Sequence, residues 1–197
     1  MTPEQEKRLV AALKDGDVGA FEVLYHRYKK WIFNYCHKMI NNVEISEDLT
    51  QEIFIKVFKN ASRLDTEANF RAWLFKIATN TCLNELRRQK IRSFLVPFGF
   101  TRDDSGNDCE VPVVDPSSKD PEQRFIDEEK KVVLKDLLCK LPPRQRAAIL
   151  LRIGHEFSYR EIAYQLNLRE GAVKSLIHRG RQRLLDMVKK ERNEKGD

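Results

Sequence analysis

Cysteine and histidine are scarce in this chain of 197 residues, with four of each. The cysteines are Cys36, Cys82, Cys109 and Cys139, and none belongs to a C-x-x-C pair or stands near a pair of histidines. This spacing fits neither a zinc site nor a small disulfide scaffold, so we expect no metal and no cofactor. Cys36 and Cys82 fall within helical patterns and are interpreted as core residues. Cys109 falls in a polar segment, where redox sensing is an alternative.

Long apolar runs are also missing. No run approaches the roughly 18 residues that a membrane span requires. The amino end, MTPEQEKRLVAALKDGD, lacks the long apolar core of a secretory signal. The sequence contains no phosphate-cradling glycine loop, no metal-spaced His/Glu set and no recognisable nucleophile–base pair. These absences predict a cytoplasmic protein without membrane insertion, and they favour a binding function over an enzyme.

Charge is distributed unevenly along the chain. The net charge of +6 and the pI near 9.1 favour a polyanionic partner. Residues 1–92 carry a net +4, residues 93–122 a net −5 and residues 123–197 a net +7. The acidic middle segment also holds prolines, glycines and serines without a regular period. We therefore predict two small basic domains, 1–92 and 123–197, joined by a flexible linker over 93–122.

The carboxyl-terminal stretch, residues 141–190, divides into three helical runs. The first opens at two prolines, which suit a first helical turn, and stops near Gly154. The second begins at a capping box, S-Y-R-E, and is predicted over about 159–165. After a three-residue break, apolar residues at steps of four, seven and four mark a third helix. This order of helix, tight turn and basic helix predicts a helix-turn-helix, whose second helix lies in the DNA major groove.

One face of the third helix is basic. It carries Lys174, Ser175, His178, Arg179 and Arg181. One interpretation is the solvated face of a helical hairpin. The other is duplex binding, because arginine can bond guanine edges and lysine can neutralise phosphate. The capped helix and short turn that precede this face favour DNA binding, and Gly180 is expected to leave room for close packing among the arginines.

The segment SYREIAYQLNLREGAVKSLIHRGRQRL resembles the promoter-reading module of sigma-70-family initiation factors, in particular of the short extracytoplasmic-function (ECF) group. The matching residues are Glu161, Ile162, Ala163, Gly171, Val173, Lys174, Ser175, Arg179 and Arg181. Two positions depart from the family pattern, with Ala172 where a hydroxyl residue is usual and Leu176 where a basic residue is common. The resemblance implies that this module reads the upstream, minus-35 promoter element as duplex DNA.

Four more helices are predicted before residue 93, over about 2–14, 18–39, 46–60 and 70–92. With the carboxyl-terminal runs they make the predicted fold all-α. Ser46 is expected to cap the third of these helices. Trp31, Phe58 and Trp73 lie on the apolar stripes and are assigned to the core.

The outer side of the third helix carries Asp48, Gln51, Glu52 and Ile55. Taken alone, it is a solvated face. The segment SEDLTQEIF is similar, however, to the sigma-factor helix that binds RNA polymerase. That resemblance implies contact with the clamp helices of the large polymerase subunit, with a further contact at the polymerase flap. Carboxylates around an exposed isoleucine suit docking against basic residues with a dry centre.

The fourth helix interleaves aromatic and basic residues, a combination that single-stranded DNA binding requires. The alternative is that the aromatics complete the core. Its segment FRAWLFKIATN resembles the sigma segment that captures the melted downstream, minus-10 element. By that match, Lys56 and Asn80 flank the loop 61–69 and hold a flipped-out base, and Arg71 and Lys76 add downstream contacts.

The motifs together predict a dissociable promoter-specificity subunit of RNA polymerase. Its expected partners are core polymerase, duplex and single-stranded promoter DNA and, as the resemblance implies, a cognate anti-sigma factor. A stand-alone helix-turn-helix repressor or activator with a helical sensor domain is the alternative. That alternative leaves SEDLTQEIF and FRAWLFKIATN unexplained, and an enzyme finds little support in the sequence.

Overall fold

The computed structural model describes residues 1–64, 69–95 and 134–194, and every regular element within these ranges is helical. The predicted all-α fold is therefore confirmed for the described residues. The predicted linker lies outside them apart from residues 93–95, and so does Cys109. Residues 134–139, just before the carboxyl-terminal helices, are also helical.

Four helices form the amino-terminal bundle. They are α1 (Pro3–Lys14), α2 (Val18–Ile40), α3 (Val43–Asn60) and α4 (Phe70–Leu95). Thr2 begins α1 through a capping box, since its hydroxyl accepts from the Gln5 amide while the Gln5 side chain accepts from the Thr2 amide. A short 3-10 turn, Ala61–Arg63, continues the chain after α3.

The beginning of α3 differs from the prediction. Asn42 caps it, because Asn42 Oδ1 accepts a hydrogen bond of 2.8 Å from the Ile45 amide. Ser46 was the wrong cap residue. It lies one turn inside the helix, fully buried, and its hydroxyl donates to the Asn42 carbonyl. The sequence pattern could not distinguish a serine that caps the helix from a serine inside it whose hydroxyl donates to a carbonyl of the preceding turn.

The carboxyl-terminal helices are α5 (Pro143–Ile149), α6 (Tyr159–Leu166) and α7 (Glu170–Glu194). The predicted capping box of α6 is present, with Ser158 Oγ accepting from the Glu161 amide at 3.2 Å. Asn167 ends α6 in the left-handed conformation, with φ of +53°. One segment was not predicted: Leu150–Gly154 winds as a π-helix directly after α5.

The buried residues of both sets of helices form one contiguous cluster. Cys36 and Cys82 are fully buried in it with their sulfur atoms 3.6 Å apart, as their interpretation as core residues predicts. Two aromatic assignments were wrong, since Trp31 is 42% exposed and Phe58 is 41% exposed. Each ring has only a partial cover, from Arg71 of α4 on Trp31 and from Phe21 of α2 on Phe58. Trp73 is half-buried against the core.

Gly180 allows two helices to approach each other. A Cβ at this position would lie 2.6 Å from Ile149 Cδ1 and 3.4 Å from Gln145 Cβ. Gly180 therefore serves the contact between α7 and α5, and the expectation that it makes room among the arginines is wrong. Gly180 is buried at this contact, whereas Arg179 and Arg181 on either side of it are exposed.

Direct side-chain contacts join the two sets of helices. The buried guanidinium of Arg146 on α5 donates to the carbonyl of Met39, in the last turn of α2, and to the carbonyls of Cys139 and Leu141. A cation at the carboxyl end of a helix is favourable because unpaired carbonyls carry negative partial charge there. Burial lowers the pKa of Arg146, which remains a strong base.

Candidate nucleic-acid interface

The helix-turn-helix presents its basic face to solvent. Lys174, Ser175, His178 and Arg179 are all exposed and line one open, shallow concavity on α7. Arg181 is exposed on the same helix but lies outside that concavity. Val173 and Ile177 of α7 are buried, and their burial determines that the basic face of the helix points to solvent. The four predicted duplex-contacting residues that line the concavity thus form one surface.

Side-chain contacts within this surface orient its cations. The Arg179 Nε donates to the Ser175 carbonyl at 3.3 Å, and the Ser175 hydroxyl donates to the Gly171 carbonyl at 3.0 Å. The Lys174 ammonium lies 5.7 Å from the ring centroid of Tyr159 on α6. Leu176, where a basic residue is common in the resembling family, is partly buried against the core. It contributes to packing in this protein.

A second site is a cleft of about 340 Å³ between α3 and α4, which we call the strand cleft. Its lining residues are Lys56, Asn60, Arg63, Trp73, Lys76, Ile77, Asn80, Thr81, Asn84 and Tyr164. Three of the four predicted downstream residues, Lys56, Lys76 and Asn80, are brought together here. None of the lining residues within the described part of the chain is acidic, and these residues combine cations, amides and an indole ring, as a binding site for an unstacked base would.

Lys56 is held in place by two neighbours. Its ammonium donates to the Thr81 hydroxyl at 3.1 Å and lies 2.6 Å from the Glu52 carboxylate. Thr81 is buried, so this bond also satisfies its hydroxyl. Asn80 is exposed on α4 next to Thr81 and leaves its amide available to a base edge.

Arg71, the fourth predicted downstream residue, does not reach the strand cleft. It faces the carboxyl-terminal helices, where its Nη2 donates to the His155 carbonyl at 2.6 Å. Its guanidinium also lies 4.7 Å from the Phe157 ring centroid and 5.1 Å from that of Trp31. Arg71 and Lys76 are five residues apart on α4 and therefore point in different directions.

Sequence reasoning did not assign seven members of the strand cleft to the site: Asn60, Arg63, Trp73, Ile77, Thr81, Asn84 and Tyr164. Asn84 follows Asn80 by one helical turn, so helical spacing was a usable signal for it. No local signal existed for Tyr164, because it comes from α6 in the other half of the chain. Trp73 was assigned to the core, and it both packs on the core and lines the cleft.

The outer face of α3 is open. Asp48, Gln51 and Ile55 are exposed, and Ile55 leaves 53% of its surface uncovered. Glu52 is half-buried on the same side because it contacts Lys56. The helical spacing of these four residues aligns them on one face with an apolar centre and acidic edges.

His155 lies where the two sets of helices meet, and no sequence pattern singled it out. Its ring centroid lies 4.4 Å from that of Phe75, with the rings tilted, and 5.7 Å from that of Tyr35, with the rings edge to face. Burial, together with the smaller effect of the positive charges on Arg71 and Lys38, lowers the pKa of His155 to about 4. The imidazole is therefore neutral at neutral pH.

Two family profiles match the chain, sigma-70 region 2 over residues 24–91 and sigma-70 region 4 over residues 131–184. The ECF RNA polymerase sigma factor SigW of Bacillus subtilis is 31% identical over 187 residues, covering 90% of this chain and 94% of that protein. SigE of Mycolicibacterium smegmatis, also an ECF RNA polymerase sigma factor, is 34% identical over 176 residues, covering 89% and 64%. The chain belongs to the sigma-70 family of RNA polymerase sigma factors, in its ECF group.

Solved structures share the fold. RpoE in complex with the anti-sigma factor NepR, from Bartonella quintana, aligns with a TM-score of 0.67 at 22% identity, covering 87% of this chain and 98% of that one. CnrH in complex with the cytosolic domain of CnrY also aligns with a TM-score of 0.67, at 21% identity, covering 93% of this chain and 97% of that one.

Among the described residues, the structure contains no helix with the length and apolar character of a membrane span.

Proposed function

We propose that this chain is a dissociable promoter-specificity subunit that docks on core RNA polymerase, reads a duplex element upstream and holds an opened strand downstream. The observation that carries the proposal is the presence of three separate surfaces on one chain. They are the acidic face of α3, the strand cleft and the basic face of α7. A repressor needs the third of these surfaces and has no use for the first two.

The assignment of surfaces follows the proposed domains. Residues 1–92 bind polymerase through Asp48, Gln51, Glu52 and Ile55, and hold the minus-10 strand through Lys56, Lys76 and Asn80. Residues 123–197 bind the minus-35 duplex through Lys174, Ser175, His178 and Arg179, with Arg181 on the flank. Residues 93–122 join the two. Arg71 supports the contact between the halves in the free protein and touches the strand once that contact opens.

The chain itself supplies no chemistry in this proposal. It binds single-stranded DNA better than the paired form at the downstream element, and this differential affinity shifts the promoter toward the open state. The protein works in the cytoplasm, on the polymerase. An anti-sigma factor is an expected partner, since RpoE, a sigma factor of similar fold, was solved in complex with the anti-sigma factor NepR.

The decisive experiment is transcription by purified core polymerase on genomic fragments, with and without this chain, followed by mapping of the start sites. Discrete starts that depend on the chain are the expected result. Asp48→Lys should abolish them by reversing charge at an acidic edge of the docking face, whereas Glu4→Lys, at an exposed position on α1, should not. A chain that binds DNA but confers no start sites would be a repressor or activator instead.

A further inference from the structure

Two cysteines from different helices touch in the core of the amino-terminal bundle. Cys36 lies on α2 and Cys82 on α4, and the Cys82 thiol donates to the Cys36 sulfur over 3.6 Å. Both residues are fully buried, whereas Cys139 in the carboxyl-terminal half is only half-buried. The fold therefore brings together one specific pair of thiols that are 46 residues apart in the chain.

The contact between these sulfurs is close to what a disulfide needs. The two sulfur atoms of a disulfide are about 2.05 Å apart, so the sulfurs of Cys36 and Cys82 have to approach each other by about 1.5 Å. Rotation of a cysteine side chain about its Cα–Cβ bond moves the sulfur without moving the helix. The pair is thus a dithiol whose partners are already selected.

The dithiol is stable in the resting protein. Contact with Cys36 and, next, burial raise the pKa of the Cys82 thiol well above its usual range, so this thiol stays protonated at neutral pH. The thiolate is the form that reacts with oxidants, and the reaction is therefore slow until the contact between α2 and α4 opens locally. A disulfide formed at the same buried place is shielded from reducing thiols for the same reason of access.

The turn of α4 that carries Cys82 also carries part of the strand cleft. Asn80 and Thr81 directly precede Cys82 in the chain. The Thr81 hydroxyl accepts from the Lys56 ammonium at 3.1 Å, and Asn80 is exposed in the cleft. A displacement of Cys82 toward α2 therefore acts on the residues that hold Lys56 and present the Asn80 amide.

We propose that peroxides oxidise Cys36 and Cys82 to a disulfide that joins α2 to α4, and that this disulfide weakens strand binding in the cleft. Side-chain rotation brings the sulfurs part of the way, and a small shift of α4 toward α2 completes the approach. That shift displaces Thr81 from its position opposite Lys56. The effect on the cleft rests on the proposed function, whereas the disulfide does not.

The reaction with hydrogen peroxide takes two steps. The thiolate of one cysteine attacks a peroxide oxygen, so that an S–O bond forms and the O–O bond breaks. The departing hydroxide takes up a proton and becomes water, which gives a sulfenic acid. The second sulfur then attacks the sulfenic sulfur, so that the S–S bond forms, the S–O bond breaks and the departing hydroxide takes the thiol proton as water. Two thiols lose two electrons, and one hydrogen peroxide is reduced to two waters.

Peptide mass spectrometry of the full chain without reductant tests the disulfide. The folded protein is treated with hydrogen peroxide until Cys139 is fully oxidised, and the remaining thiols are blocked with N-ethylmaleimide in urea before digestion. A linked pair of peptides containing Cys36 and Cys82, separated by dithiothreitol, is the expected product. Recovery of both cysteines as blocked thiols or as unlinked oxidised acids would overturn the proposal. A link that forms only when the peroxide is added in urea would overturn it too, because the fold would not be selecting the pair.

The effect on the cleft is measured as the affinity for a fluorescein-labelled single strand of about 12 nucleotides of mixed sequence, by anisotropy. The oxidised chain should bind about two- to ten-fold more weakly than the reduced chain, the typical net contribution of one hydrogen bond, and dithiothreitol should restore the affinity. Cys82→Ala cannot form the link and should bind equally before and after peroxide. Equal affinities of the oxidised and reduced wild type would overturn the effect, and so would an equal loss in Cys82→Ala, because another oxidised residue would then be responsible.

Asn80→Ala separates this inference from the proposed function. If reduced Asn80→Ala binds the strand more weakly while oxidation of the wild type changes nothing, the effect of the disulfide alone is overturned. If neither change alters the affinity, the strand-cleft assignment fails and the effect on the cleft fails with it, while the linked peptides still decide the disulfide. Circular dichroism of each oxidised or substituted protein establishes that it is folded.

Discussion

The ammonium of Lys56 lies 2.6 Å from the carboxylate of Glu52, one turn earlier on α3. The two residues belong to different proposed surfaces, because Glu52 lies on the proposed polymerase-docking face and Lys56 lines the strand cleft. One side chain therefore partly neutralises the other at the boundary between the two surfaces. Any partner that engages Glu52 also changes the charge that Lys56 presents to DNA.

This pair predicts opposite effects of one substitution. Glu52→Gln should weaken association with core polymerase and strengthen single-strand binding by about two-fold, since an exposed i,i+4 pair contributes only a few tenths of a kcal/mol. Pull-down and anisotropy measure the two effects. Glu4→Gln removes an exposed carboxylate from a different helix, α1, and should change neither. Parallel losses in both assays by Glu52→Gln would contradict the predicted coupling.

The basic face of α7 predicts a salt-dependent weakening of duplex binding. Lys174→Ala and Arg179→Ala should each weaken binding to promoter duplex and reduce the salt slope by about one for each phosphate that is no longer neutralised. The measurement is affinity as a function of salt concentration. Lys189→Ala, nearly three turns beyond the concavity on the same helix, should have a smaller effect. Identical salt slopes for the wild type and the three variants would show that the basic face of α7 does not contact DNA.

The lowered pKa of His155 predicts that the folded protein loses stability in mild acid. Its pKa is lowered to about 4 in the folded protein, so the unfolded chain binds the proton more tightly. The neutral imidazole's contribution is complete above the unfolded pKa, near 6.5, and is lost as pH falls toward 4. Between about pH 7 and pH 5 the free energy of unfolding should fall by about 1–2 kcal/mol from this group.

Urea unfolding of wild type and His155→Phe at the two pH values tests this dependence. The variant keeps an aromatic ring against Phe75 and has no proton to gain, so its loss of stability over this interval should be smaller by the amount that His155 contributes. Equal losses in the two proteins would mean that His155 is not the titrating group.

Two glycines of α7 predict opposite changes in stability. Gly171→Ala has open space around its new Cβ and should stabilise the protein by up to about 1 kcal/mol through helix propensity. Gly180→Ala gains the same propensity but forces buried Ile149 to move, and should be about 1–2 kcal/mol less stable than Gly171→Ala. Thermal or urea unfolding of both variants gives the comparison, and equal stabilities would contradict the close approach of α5 and α7.

Helix caps and helix faces could be predicted from the sequence because they depend on residues that are close together in the chain. The capping boxes at Thr2 and Ser158 need only a partner three residues away, and both are present. The misplaced cap at Ser46 has the same origin, since a serine four residues after Asn42 offers an equally local bond. The exposed face of α3 and the basic face of α7 followed from helical spacing.

Only the tertiary structure decided what covers α4. Helical spacing gives the direction of Arg71 and Lys76 but not the element that each one meets, and both meet the carboxyl-terminal helices. The sequence determined the helices, their caps and the residue types of the three surfaces. Packing alone placed Tyr164 against Lys76 and partly buried His155, whose carbonyl Arg71 contacts. Contacts between distant segments depend on how whole helices fit together, and they produce no periodic pattern in the sequence.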